Sequence, residues 1–101
     1  MTYLDQRFEW DDEKNVANQQ KHGVSFENAS ELFTSGAPYL ELFDHAHSDV
    51  EERLIAVGPT ARGVLVVVWT ERDDNVTRII SARLATKRER RMYIEHMEHG
   101  T

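Results

Sequence analysis

Cysteine is absent from the chain. That excludes a disulfide framework, a thiolate metal site and a cysteine nucleophile. It also fits a reducing cytoplasm, the expected location. Long hydrophobic runs are missing as well. The longest, Val64 to Trp69, is far short of the roughly 20 residues that a membrane-spanning helix needs. The opening MTYLDQRFEWDDEK has no apolar stretch, so neither a leader nor a membrane partner is expected. Repeats, low-complexity tracts and linkers are lacking too, and 101 residues predict one domain over 1–101. No glycine-rich phosphate loop, HExxH helix or Ser/His/Asp pattern is present, and no cofactor or bound metal is expected.

Positive charge is in deficit overall: 12 Lys and Arg face 18 Asp and Glu, a formal net charge of -6. The deficit is uneven. Residues 1–60 carry four cations and twelve acids, or -8; residues 61–101 carry eight cations and six acids, or +2. The cations concentrate in RIISARLATKRERRMY. Between Arg78 and Arg91 stand Arg78, Arg83, Lys87, Arg88, Arg90 and Arg91 against Glu89 alone, a balance of +5. Such a distribution implies one domain with two differently charged faces.

Local patterns predict the order α, α, β, β, β, β, α. Asp11 is placed to cap a first helix that ends near His22, with Gly23 in the left-handed stop position. Ser25 is placed to cap a second, whose apolar face is Phe26, Ala29, Leu32 and Phe33. Strands are expected at Tyr39 to Asp44, Arg53 to Val57 (closed by Gly58-Pro59), Val64 to Thr70 and Val76 to Arg83. The third is apolar on both faces and should be central. Phe8-Glu9-Trp10 reads as a short strand or an extended lead-in. Thr86-Lys87-Arg88-Glu89 matches a capping box, so a last helix starts there, with Tyr93, Ile94 and Met97 as its buried stripe. The expectation is an α+β fold, helices packed on a four-stranded antiparallel sheet.

Arginine suits phosphate because its planar fork can donate two parallel hydrogen bonds. Arg78 and Arg83 are five residues apart, which puts them on opposite faces of a regular strand; a bulge would change that. Lys87 and Arg88 fall in a first helical turn, where cations oppose the helix dipole, so helix stability does not account for them. Lys14, Asn18 and Lys21 fall at i, i+4 and i+7 of the first helix and share a face, with His22 at its margin. The alternative for the first helix is a solvated surface helix, and for the 78–91 cluster a solvated basic face paired with the acidic half. His45-Ala46-His47, beside Asp44 and Asp49, is a weak metal signal, since no further ligand stands at zinc spacing.

Three segments, FEWDDEKNVANQQKHGVSFENA, DHAHSDVEERLIAVG and RIISARLATKRERRMY, resemble the BrnT family of toxins over roughly Phe8 to Tyr93. The resemblance implies a RelE-like fold and a ribonuclease of a type II toxin–antitoxin module. It implies neutralisation by a BrnA-like ribbon-helix-helix antitoxin in a complex of two toxins and two antitoxins, with operator DNA bound only through the antitoxin. RNA would be the substrate, cleaved without metal. On this resemblance Arg78 and Arg83 are candidates to stabilise phosphate charge. Lys14 and Lys21 are candidates for substrate contact or charge stabilisation, Lys14 being placed with the catalytic set. Lys87 and Arg88 are candidates for RNA binding, and His22 for acid or base. Glu52 and Glu89 are alternative bases, and Arg78 could instead be a buried arginine paired with Asp44 or Glu52. A non-catalytic antitoxin-binding co-repressor and an RNA-binding module are the rival readings.

Overall fold

The computed structural model of the protein describes residues 7–45, 51–73 and 75–99. Helix α1 spans Asp12–His22. The Asp11 carboxylate accepts the N–H groups of Glu13 and Lys14, and Gly23 ends the helix at φ 71°. That left-handed turn carries no Cβ penalty at glycine. Helix α2, Phe26–Thr34, opens on a capping box between Ser25 and Asn28. Its stripe Phe26, Ala29 and Leu32 is buried.

Among the described residues the sheet has five strands and is mixed: β1 (Arg7–Glu9), β2 (Leu40–Phe43), β3 (Leu54–Thr60), β4 (Gly63–Arg72) and β5 (Val76–Leu84), in the order β1-β5-β4-β3-β2. This corrects the expected four antiparallel strands. The lead-in around Phe8 pairs parallel with Val76, Thr77 and Arg78, because β5 would otherwise present an open edge there. The second expected strand also runs past Gly58-Pro59 to Thr60. Pairing with β2 stops at Val57, so Pro59 and its missing N–H lie beyond that ladder. β4 is central, as its two apolar faces predict.

One face of the sheet holds the main core. Ala56, Leu65, Val67, Trp69, Ile79 and Ala82 pack under Val24, Phe26, Ala29 and Leu32. Phe33 sits edge-on to Trp69 and Tyr39 at 5.3 and 5.4 Å. Gly58 lets α2 approach: a Cβ there would lie 2.7 Å from Tyr39 Cβ and 3.2 Å from Leu32 Cγ. The other face carries helix α3 (Lys87–His99), which packs chiefly on β3 and β2. Tyr93 joins Leu40, Val57, Val66 and Ala85 in a smaller cluster, and its hydroxyl donates to Pro38 O at 2.9 Å. The expected stripe on α3 needs correction at Ile94, which is 52% exposed. The inward positions are Glu89, Tyr93 and Met97, four apart; Ile94 lies about 100° round from Tyr93.

Helix α1 docks through amides rather than hydrocarbon. Val16 is exposed, and the buried positions are Asn15 and Asn18. Asn15 Oδ1 accepts the Phe26 N–H at 2.8 Å, and its Nδ2 donates to Glu27. Asn18 Nδ2 donates to Val24 O and Ala82 O at 2.8 and 2.7 Å, while Oδ1 accepts the Ala82 N–H at 3.3 Å. β1 pairs with β5 only as far as Arg78. Beyond it, the Asn18 amide stands in for a neighbouring peptide on the β5 edge.

Asn18→Ala removes three hydrogen bonds and leaves Ala82 with an orphaned N–H and carbonyl. Unfolding free energy should fall by about 2–4 kcal/mol in chemical denaturation. Asn18→Asp should recover little of it, because its carboxylate can still accept the Ala82 N–H but would face two carbonyl oxygens. A loss under about 0.5 kcal/mol in Asn18→Ala would refute this account of the docking.

Candidate functional site

Strand β5 is irregular at its centre. Ser81 pairs with Val68 and Ile79 with Trp69, so Ile80 is an extra residue, a β-bulge. The bulge resets the alternation. Arg78 stands opposite Thr70 and Arg83 opposite Val66, four residues apart on a regular strand. Arg78, Ser81 and Arg83 therefore share the face that α3 only partly covers, while Ile79 and Ala82 face the main core. Of the two arrangements open from spacing, the shared face is the one adopted.

The two arginines have different partners. Arg78 Nη1 lies 2.9 Å from Glu9 Oε2, its direct neighbour across the β1–β5 ladder, and Arg72 Nε lies 4.0 Å from the same oxygen. Arg78 is half-buried, and its carboxylate partner is Glu9 rather than Asp44 or Glu52. Nearby, Glu51, Glu52, Leu54, Thr70, Glu71 and Arg72 line a cavity of about 340 Å³. Carboxylates outnumber cations around it, which disfavours a phosphate at that end.

Arg83 forms a two-pronged pair with Glu89, Nη1 to Oε1 at 2.7 Å and Nη2 to Oε2 at 2.8 Å. Glu89 also closes the expected capping box. Its Oε1 accepts the Thr86 N–H at 2.8 Å, and Thr86 Oγ1 accepts the Glu89 N–H at 3.1 Å. These hydrogen bonds, the Arg83 fork first among them, hold the Glu89 carboxyl down at about 2. The same bond raises the Arg83 guanidinium. A carboxylate so stabilised is a poor proton acceptor near neutrality, which argues against Glu89 as general base.

Helix geometry sets where the α1 candidates point. Asn15 faces α2 and Asn18, roughly 60° round the helix, faces the β5 edge. Lys14 and Lys21 lie a further 40–60° round, roughly, in the same sense. That turns both exposed lysines away from α2 and past the direction of the β5 edge. His22 follows Asn15 by two turns, so it lies on the docked side and is half-buried, apart from the lysines. Arg88 is exposed on the same flank of α3 as Glu89 and Met92, and Lys87 is exposed on the opposite flank.

The other polar candidates stand elsewhere. Glu52 is exposed, and its carbonyl accepts the Thr70 hydroxyl at 2.6 Å. His45 stacks edge-on against Phe43 at 4.6 Å. His47 and Asp49 lie outside the described residues. Sequence reasoning missed Glu9, Asn15 and Asn18 as holders of the site. The available signal was a pair of asparagines three apart in a helix short of apolar residues.

Residues 10–89 match the family described as "Ribonuclease toxin, BrnT, of type II toxin-antitoxin system". The crystal structure of the Brucella abortus ribonuclease toxin BrnT, at 1.1 Å, is similar to this chain with a TM-score of 0.60 and 25% identity. The similarity covers 80% of this chain and 97% of that one. No curated protein matches the chain.

Because folding lowers the Glu89 pKa from 4.5 to about 2, its contribution is complete above about 4.5 and is lost as pH falls toward 2. The stability advantage of wild type over Glu89→Gln should be level at pH 6 and 7 and shrink between pH 4.5 and 2. Denaturant titrations across that range read it. A gap that stays constant throughout would refute the pairing.

Proposed function

The chain belongs to the BrnT family of ribonuclease toxins of type II toxin–antitoxin systems, and we propose that residues 1–101 form one such toxin domain that cuts RNA without a metal. The carrying observation is the bulge at Ile80, which turns Arg78 and Arg83 to one sheet face. In metal-free cleavage the ribose 2′-oxygen attacks the adjacent phosphorus and the 5′-oxygen leaves, giving a 2′,3′-cyclic phosphate. Negative charge grows on the phosphoryl oxygens, so fixed cations aimed at them lower the barrier. Arg83 is assigned that role, with Arg78 second because Glu9 and its acidic surroundings partly neutralise it. Lys14 and Lys21 guide the strand from the β5 edge, and Lys87 and Arg88 add contacts from the start of α3. Proton transfer is proposed for His22 on chemistry alone, an imidazole being the usual proton carrier, since its place on the docked side of α1 does not bring it to Arg83. Unchanged cleavage by His22→Gln would remove that assignment.

The RelE-like reading of the fold carries the same expectation about chemistry. The proposed partner is a BrnA-like ribbon-helix-helix antitoxin, two copies with two of this chain, and operator DNA is reached only through it. A cytoplasmic setting fits a chain in which no helix among the described residues is long and apolar enough to cross a membrane. One observation favours a second reading, a non-catalytic antitoxin-binding co-repressor: both arginines are already ion-paired with carboxylates.

Purified wild-type protein should cleave RNA in excess chelator and leave 2′,3′-cyclic phosphate ends, and its induction alone should arrest growth. Arg83→Ala, if folded, should lose roughly 10²–10³-fold in cleavage rate, the usual cost of a charge-stabilising donor. Neither cleavage nor arrest by folded wild type would favour the co-repressor. Cleavage undiminished in Arg83→Ala would keep the toxin and remove this site.

A further inference from the structure

The guanidinium of Arg83 has five N–H donors, and the structure uses only part of them. Nη1 donates to Glu89 Oε1 at 2.7 Å and to Leu84 O at 3.3 Å, and Nη2 donates to Glu89 Oε2 at 2.8 Å. Those three bonds occupy the end of the fork and its Nη1 side. Left over are Nε–H and the second N–H of Nη2, which point the same way and form the other two-donor edge. That edge has the spacing of two phosphate oxygens. Arg83 itself is 40% exposed in its side chain and Glu89 27%, so the pair is partly open to solvent rather than sealed.

Glu89 is also immobilised. Its Oε1 takes the Thr86 N–H, and its own N–H is held by Thr86 Oγ1, so the carboxylate is fixed to the first turn of α3. Arg83 enters from β5, four residues before α3 begins. One carboxylate thus joins helix, strand and cation.

We propose that Glu89 is a positioning residue: it grips the end of the Arg83 guanidinium so that the Nε–Nη2 edge is presented, pre-oriented, to a phosphate of the RNA. The proposal rests on the ribonuclease reading for its substrate, but the phosphate-binding edge stands on geometry alone. The advantage is that a long side chain does not have to be ordered when the phosphate arrives. Leaving Glu89 in place costs one neutralised charge and keeps the direction of the other two donors.

The test uses the full chain, ¹⁵N-labelled, as wild type, Glu89→Gln, Glu89→Asp and Arg83→Lys. The Arg83 Nε–H resonance is assigned by its disappearance in Arg83→Lys. Inorganic phosphate should shift it saturably in wild type and at least roughly tenfold more weakly in Glu89→Gln, which keeps the cap through its amide oxygen but exchanges a charged acceptor for a neutral one. On RNA, Glu89→Gln should lower kcat by about 10²-fold, the scale of an ångström-level misplacement, with KM within about twofold. Melting curves establish that each variant is folded. If Glu89→Gln fails to fold, Glu89→Asp decides: its carboxylate is withdrawn by one methylene and should weaken the phosphate response similarly. An unchanged phosphate response in the folded glutamine variant, or an unchanged or raised kcat, would overturn the proposal; a raised kcat would make Glu89 a brake. A wild type that binds phosphate at Arg83 but does not cut RNA would sink the ribonuclease reading and leave the positioning role standing.

Discussion

One side-chain amide carries much of this architecture. Asn18 binds both main-chain groups of Ala82 at the β5 edge that β1 leaves uncovered. A strand edge must have its N–H and C=O groups paired or solvated. Here a strand covers the first three residues of that edge, and Asn18 closes it just past the bulge. This bond sets where α1 lies, and through the turn of the helix it sets which way Lys14 and Lys21 project. Asn15 performs the matching task toward α2 by taking the Phe26 N–H. A helix with so little apolar surface has no hydrophobic means of choosing its orientation, so directional hydrogen bonds choose it instead.

The bulge and the amide act on neighbouring residues. The extra residue Ile80 switches the facing of the strand, so Ala82 enters the core where a regular strand would have sent Ser81. The same switch brings Arg83 out of core-facing register and onto the face of Arg78. Keeping Arg83 core-facing would have buried a guanidinium among Leu65, Val67 and Phe26, at a cost that no partner there offsets. The facing of Arg83 and the packing of Ala82 therefore both follow from one irregularity.

The acidic total of the chain coexists with this cationic face because charge is local at such distances. Salt screens exposed charges beyond roughly 8–10 Å, so an anion approaching Arg83 would respond mainly to the charges close to it. Both central arginines are held by carboxylates, Arg78 by Glu9 and Arg83 by Glu89. At Arg83 the two-pronged carboxylate takes one edge of the guanidinium and leaves the other unused. Overall charge is thus a poor guide to the charge of this face.

Most of the elements were legible in the sequence. The caps at Asp11, Ser25 and Thr86, the stop at Gly23, the central strand and the three helices follow from local chemistry acting within a few residues. The motif residues also identify the family. What local pattern left undecided is what depends on contacts far along the chain. The fifth strand exists because β5, some seventy residues later, offers an edge to Arg7–Glu9. The shared face of Arg78 and Arg83 exists because a bulge absorbs one residue, which the adjacent Ile79 and Ile80 only hint at. Ile94 was misplaced because α3 rests on Glu89, Tyr93 and Met97, an orientation fixed by the Tyr93 and Arg83 contacts. Sequence by itself determined the elements, because capping and periodicity are local. Tertiary structure alone decided which cations share a face, because facing is set by strand register and by hydrogen bonds 64 residues apart in the chain.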